Sequence, residues 1–386
     1  MKQNWTYKKF SEVFNLQMGK TPSRDNLAYW GGDNVWVSIA DLKDKYIESS
    51  KEHITDIAVS ESGINKVPKG TAIMSFKLTI GRSAITECDL FTNEAIMSFE
   101  PKEKNILAAD YIYYYLKGCK WTGANKAVMG QTLNKKTISE NIFAYPPIET
   151  QSRIVSELDL LQSIIDKQQT QLKELDTLAQ AVFYDMFGDP VENEKGWEVK
   201  KLGECCVSVS YGTSAPSSSQ GKFIYLRMNN ITYGGELDLT DVKYIDLEPT
   251  DFEKYSVKEG DILFNRTNSA ELVGKTTWFH KLEPMVIAGY IIRVRLNETL
   301  QPVYVSTFMN TKEMKMILKA MGKGAVNQAN INSKELQRIR IPVPPLSLQQ
   351  SFAAKIESIE KQKVAISQSI AETQKLFDYT MDKYFG

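Results

Sequence analysis

The chain is written twice. Five segments return in the same order about 195 residues later, with small slips that mark loop insertions. Trp5-Thr-Tyr-Lys-Lys-Phe10 returns as Trp197-Glu-Val-Lys-Lys-Leu202, and Trp36-Val-Ser-Ile-Ala-Asp-Leu42 as Tyr225-Leu-Arg-Met-Asn-Asn-Ile231. Val67-Pro-Lys-Gly70-Thr-Ala-Ile-Met74 returns as Val257-Lys-Glu-Gly260-Asp-Ile-Leu-Phe264. Tyr145-Pro-Pro-Ile-Glu-Thr-Gln151 returns as Val343-Pro-Pro-Leu-Ser-Leu-Gln349, and Met186-Phe-Gly188 as Tyr384-Phe-Gly386. One such match is coincidence; an ordered set is a duplicated unit.

Each copy changes texture after its Pro-Pro pair. Residues 148–187 and 346–385 hold no glycine or proline, which predicts two helices of 40 residues, each roughly 60 Å long. Ile154, Leu158, Leu161, Ile165, Gln168, Leu172, Leu175, Ala179, Val182 and Met186 alternate spacings of 4 and 3, an unbroken heptad seam. Adding 198 gives Phe352, Ile356, Ile359, Lys363, Ile366, Ile370, Thr373, Phe377, Thr380 and Tyr384 in the same register. Helices this long exceed the core of one globule, so they are expected to pair antiparallel about a pseudo-two-fold axis, with a globule towards each end. Gln168 and Lys363, read as equivalent mid-seam positions, would fix register at some cost in stability.

The segments between the helices read as short alternating runs at Val35–Ile39, Thr71–Phe76, Asp261–Phe264 and Met285–Leu296, with short helices at Ala109–Leu116 and Tyr304–Lys319. The expected class is α+β: two mixed α/β globules at 1–147 and 189–345, and helices at 148–188 and 346–386. No CxxC pair exists among Cys88, Cys119, Cys205 and Cys206, and two histidines, His53 and His280, are too few for a histidine metal site. No signal segment or membrane span is evident, so a soluble, cytoplasmic protein is expected.

With 47 basic and 47 acidic side chains, the chain as a whole does not look like a nucleic-acid binder. The zero is a sum of unlike parts. Residues 1–147 carry 19 basic and 16 acidic groups, whereas residues 148–188 carry 3 and 7. Within each globule the basic residues crowd just before the Pro-Pro: Lys117, Lys120, Lys126, Lys135 and Lys136 in one, and Lys312, Lys315, Lys319, Lys323, Lys334, Arg338 and Arg340 in the other. Among them lie Gln131, Thr132 and Asn134, and Asn327, Gln328, Asn330 and Asn332. Lysine and arginine grip phosphates, while asparagine and glutamine read adenine edges. A second candidate surface is the turn after the Gly70 and Gly260 strands, with Lys77 and Arg82 in one copy and Asn265, Arg266, Asn268 and Ser269 in the other. Lys20, Thr21, Thr213 and Ser214 complete the candidate DNA contacts.

The order of globule, Pro-Pro-x-x-x-Gln helix, second globule and second such helix ending in Phe-Gly, with Gly260-Asp-Ile-Leu-Phe-Asn-Arg266, resembles the DNA-specificity (S) subunit of type I restriction-modification systems. The resemblance covers essentially the whole chain. It implies a non-catalytic subunit in which each globule is a target-recognition domain for half of a bipartite duplex DNA site. The helices would form the spacer that sets the gap and docks two methyltransferase subunits, with restriction subunits joining that core. Spacer and partner positions are then Pro146, Pro147, Gln151, Leu158, Leu161, Ile165, Leu172 and Leu175, and Pro344, Pro345, Gln349, Ile356, Ile359, Ile366, Ile370 and Phe377. S-adenosylmethionine, ATP and Mg are implied for partner subunits, and no cofactor or metal for this chain. The first copy departs from the second in lacking an arginine directly after its strand, and Arg82 is the candidate replacement for Arg266.

Two other readings compete. Tyr145-Pro-Pro-Ile superficially matches the Asp/Asn-Pro-Pro-Tyr/Phe loop of a self-contained adenine methyltransferase, but tyrosine replaces the acceptor and no glycine-rich nucleotide loop follows a strand. A coiled-coil protein-interaction scaffold fits the helices, yet leaves two divergent globules without a task.

Overall fold

The computed structural model describes residues 2–123, 125–127, 130–281, 283–322 and 328–386, with the backbone alone at 125–127 and 130–131. The long helices are Ile148–Phe187 and Leu346–Phe385. The chain divides into two compact units, and the division cuts both helices: residues 1–169 with 368–386, and residues 170–367.

In the first unit a sheet runs in the order Phe14–Met18, Ile96–Pro101, Ala72–Ser75, Ser83–Thr86, Tyr46–Ile47. The second unit repeats it as Cys206–Tyr211, Ile291–Leu296, Ile262–Asn265, Thr276–Trp278, without the fifth edge strand. Each globule is closed by pairing its first strand with its last, Thr6–Lys9 with Ile142–Tyr145 and Glu198–Lys201 with Arg340–Val343. The duplication is therefore one of topology as well as sequence. Two expected elements are each two. Met285–Leu296 is the strands Met285–Ile287 and Ile291–Leu296, parted around Gly289. Tyr304–Lys319 is the helices Pro302–Asn310 and Lys312–Met321, because Thr311 is extended (ψ 155°) and caps the second through Met314 N–H.

Within the first unit Ile154, Leu158, Leu161 and Ile165 share a core with Phe377, Met381 and Phe385. Within the second, Phe183 and Phe187 share one with Phe352, Ile356 and Ile359. The start of each helix thus meets the end of the other, which makes the pair antiparallel. Four core anchors lie off the expected seam. Phe183 and Phe187, with their counterparts Met381 and Phe385 198 residues on, sit one position past it and face their globules. The mid-seam polar residues have separate partners and are one step apart under the 198-residue offset. Gln168 Nε2 donates to Ser369 Oγ at 2.7 Å, whereas Lys363 pairs with Asp176 at 2.7 Å and with Glu236 and Glu360. Burial pulls the Lys363 ammonium down, but these carboxylates more than reverse that and raise it.

The Pro-Pro-x-x-x-Gln signature has a structural cause. Gln151 is fully buried: Oε1 accepts from Ala108 N–H (3.0 Å), and Nε2 donates to the Ile106 and Pro146 carbonyls (2.8 and 2.9 Å). Gln349 repeats this with Gln301 N–H, Thr299 O and Pro344 O (2.8, 3.1 and 2.8 Å). Each glutamine locks the helix start to the loop before the short globule helix, so it acts inside the chain. Gln349→Leu fills the same space but strands one N–H and two carbonyls. It should lower unfolding stability by about 2–4 kcal/mol, read from the midpoint of urea unfolding; an unchanged midpoint would remove the lock.

Candidate nucleic-acid interface

In both units the amide-bearing segment is hydrogen-bonded onto the turn after the central strand, which merges the two candidate surfaces into one. Leu133 N–H donates to Phe76 O at 2.9 Å, and Ile331 N–H donates to Arg266 O at 2.8 Å. In the second unit this contact extends into a small sheet of Thr267–Asn268 with Ala329–Asn330, where Thr267 Oγ1 donates to Asn330 Oδ1 at 2.8 Å.

These bonds also fix the equivalences. Phe76 N–H meets Ala95 O and Arg266 N–H meets Tyr290 O, both at 3.0 Å, so Phe76 stands where Arg266 does. Ser75 N–H meets Arg82 O and Asn265 N–H meets Lys275 O, both at 2.8 Å, so Arg82 corresponds to Lys275. The fates are crossed. Phe76 is buried and Arg82 is exposed, with no side-chain partner among the described residues. Arg266 is half-buried, while Lys275 is buried and donates to Met228 O at 2.7 Å. Arg82 therefore presents the first unit's guanidinium from the far side of the turn.

Arg266 is held without being consumed. Its guanidinium lies 4.9 Å from the Tyr211 ring centroid and forms no ion pair among the described residues. Tyr211 is fixed in turn: its hydroxyl donates to Ser333 Oγ (3.0 Å) and accepts from Ser333 N–H (2.8 Å). A cation–π contact orients the fork without taking up its terminal N–H groups in an ion pair. Tyr211 escaped the sequence reading, since nothing marks a strand-end tyrosine until the fold places it beside Arg266.

Several predicted contacts are occupied by the fold. Asn134 and Asn332, 198 residues apart, are both helix N-caps. Asn134 accepts from Thr137 N–H at 2.9 Å, and Asn332 from Lys334 and Glu335 N–H at 2.9 and 3.0 Å. Asn265 is fully buried, and its Oδ1 accepts from Asn268 Nδ2. Asn268 Oδ1 in turn accepts from Ser269 N–H. Thr213 is buried, with its hydroxyl accepting from Ala215 N–H. The Thr21 hydroxyl donates to Glu94, whose carboxyl it holds below the ordinary range, and the Lys20 ammonium donates to Ser62 O. Lys77 is half-buried with its amine 5.5 Å from the Phe76 ring, and Thr132 is half-buried. Lys135, Ser214 and Gln328 are exposed. Lys323, Asn327 and the side chains of Lys126 and Gln131 lie outside the described residues.

Comparison with known proteins decides the family. The type I restriction modification DNA specificity domain matches residues 2–177 and again 194–374. The chain belongs to that family. It is 25% identical to the type I restriction enzyme MjaIX specificity subunit of Methanocaldococcus jannaschii, over 99% of this chain and 92% of that one. With the EcoKI specificity subunit of Escherichia coli it shares 22% identity, over 62% of this chain and 56% of that one. Two solved folds are similar. A chain from a type I R-M system solved for its complex assembly and conformational transition gives a TM-score of 0.63 at 18% identity, covering 100% of this chain and 98% of that one. The S subunit of a type I restriction-modification system from M. genitalium gives 0.54 at 14%, covering 99% and 96%.

Against that family, the Tyr145-Pro146-Pro147 junction is a strand-to-helix turn filled by the Gln151 amide, not a catalytic loop. Among the described residues no three His, Cys, Asp or Glu side chains gather as a metal site, and no helix is long and apolar enough to cross a membrane. The four cysteines are free thiols.

Proposed function

We propose that this chain is the sequence-specificity subunit of a type I restriction-modification enzyme, reading a bipartite, asymmetric duplex DNA target with one globule per half-site. The observation that carries this is the crossed substitution at equivalent reading positions: Phe76 and Arg82 in one unit, Arg266 and Lys275 in the other. One frame used twice with different side chains suits two different half-sites. The long helices set the gap between them.

The helices also carry Leu178 and Leu376, 198 residues apart and both about half-exposed (47% and 52%). An apolar side chain repeated by the duplication suits two copies of one partner, here two methyltransferase subunits, with restriction subunits joining the assembly. S-adenosylmethionine, ATP and Mg belong to those partners, and this chain binds none of them. The assembly works in the cytoplasm, where it meets the host DNA.

Methylome sequencing of a host expressing this chain with its methyltransferase tests the proposal. The expected outcome is one methylated motif of two unlike half-sites separated by a fixed gap. Methylation without a bipartite motif would sink it.

A further inference from the structure

The break at Thr311 puts Lys312, Lys315 and Lys319 on one side of the helix Lys312–Met321, where they line a cleft of about 330 Å³ with Gln180, Tyr233, Glu271 and Asn310. Two polar atoms of this lining are buried and have no hydrogen-bond partner among the described residues, Lys315 Nζ and Asn310 Oδ1. Buried polar groups are normally satisfied, so an orphan pair on one cleft calls for an occupant.

The surrounding groups define its chemistry. Lys315 Nζ lies 4.7 Å from the Tyr233 ring centroid, and Lys275, a like charge, is close enough to disfavour its ammonium form. Burial first, and Lys275 second, push the Lys315 ammonium down to about 8. The carboxylate in the lining, Glu271, pairs with Lys319 at 3.5 Å, and the neighbouring Glu313 accepts from the Tyr184 hydroxyl at 2.5 Å. Asn310 cannot simply turn its amide, because Nδ2 already donates to the Thr276 and Ser306 carbonyls at 2.6 and 2.8 Å. The cleft therefore offers an uncompensated cation and one fixed acceptor.

We propose that this cleft binds a phosphate group, with Lys315 as the central cation, Lys312 as a second one, and Asn310 Oδ1 accepting from a phosphate hydroxyl or a water held between them. Two sources share this chemistry, a free phosphate and a DNA backbone phosphate. The DNA source rests on the function proposed above, whereas the free phosphate does not. A phosphodiester has no hydroxyl for Asn310, so only the water-mediated contact serves it.

Both sources are tested on the full chain with Lys315→Met. Inorganic phosphate, titrated at pH 7 against chloride of equal ionic strength, should raise the melting temperature of the wild type saturably and that of the variant no more than chloride does. In the complex with the methyltransferase, the DNA arm should show the slope of log K against log salt shallower by about 0.9 in the variant, on target and non-target duplex alike. A response in the first arm alone assigns free phosphate, and a response in the second, with or without the first, a DNA phosphate; wild-type and variant agreement in both overturns the site. Should Lys315→Met not fold, amine acetylation of the wild type replaces it. Phosphate or duplex must then slow modification of Lys315 selectively, and equal rates with and without them overturn the proposal.

Discussion

Deleting one heptad from each long helix, residues 166–172 and 364–370, should shorten the recognised gap and leave both half-site sequences unchanged. The two segments are equivalent under the 198-residue offset, and each removes two seam positions, so the alternation of 4 and 3 continues across both joins. Gln168 and its partner Ser369 leave together, and neither is stranded. Lys363, with Asp176, Glu236 and Glu360, stays. Seven residues of helix rise about 10.5 Å, or about three base pairs of duplex. Two turns of coil nearly restore the helix face, drifting by only about 20°. DNA does not restore its own face so quickly, because equivalent groove positions recur only about every 10 base pairs. The shortened protein must therefore twist or bend its target, and methylation should be slower as well as re-spaced. Methylation-site mapping reads both effects. An unchanged gap would falsify the ruler role of the helices.

How much of this was legible in the sequence follows from the reach of each interaction. The heptad seam repeats at fixed spacing, so Ile154 to Met186 and their counterparts announced the helix pair. Phe183, Phe187, Met381 and Phe385 did not, because they leave the seam to fill their globules, and that contact depends on a distant partner such as Tyr304. Two of the amides carry a second use that spacing alone does not show. Asn134 and Asn332 stand directly before short helices at Lys135–Glu140 and Ser333–Gln337, and capping is the competing use of asparagine at such a place. Gln151 and Gln349 were legible as a motif, but their loop partners lie 43 and 48 residues away, and only the fold shows what they hold. The neutral net charge is explained locally as well. Lys363 is balanced by carboxylates, whereas Arg82 and Arg266 have none among the described residues, and a chain-wide count cannot separate those uses.

Arg266→Ala should relax the second half-site at one position and leave the first half-site intact. The side chain is half-buried and oriented by Tyr211, with no carboxylate to displace among the described residues, so little need be broken for it to reach a base edge. Losing a bidentate guanine contact costs about 1–3 kcal/mol, roughly 5- to 150-fold in discrimination at that base pair. Lysine should not restore the lost discrimination, because a point ammonium cannot reproduce the planar fork. The alternative is that Arg266 grips only a phosphate. In that case lysine would largely substitute, all sequences would weaken together, and the salt slope would fall by about one. Methylation of a target library by the assembled enzyme, carrying wild type, Arg266→Ala or Arg266→Lys, separates the two. Selectivity lost at a single position in both variants marks base reading; a uniform loss that lysine repairs marks backbone grip. Arg82→Ala, read in the same library, should instead mark the other half-site, since in the first unit the free guanidinium lies across the turn from buried Phe76.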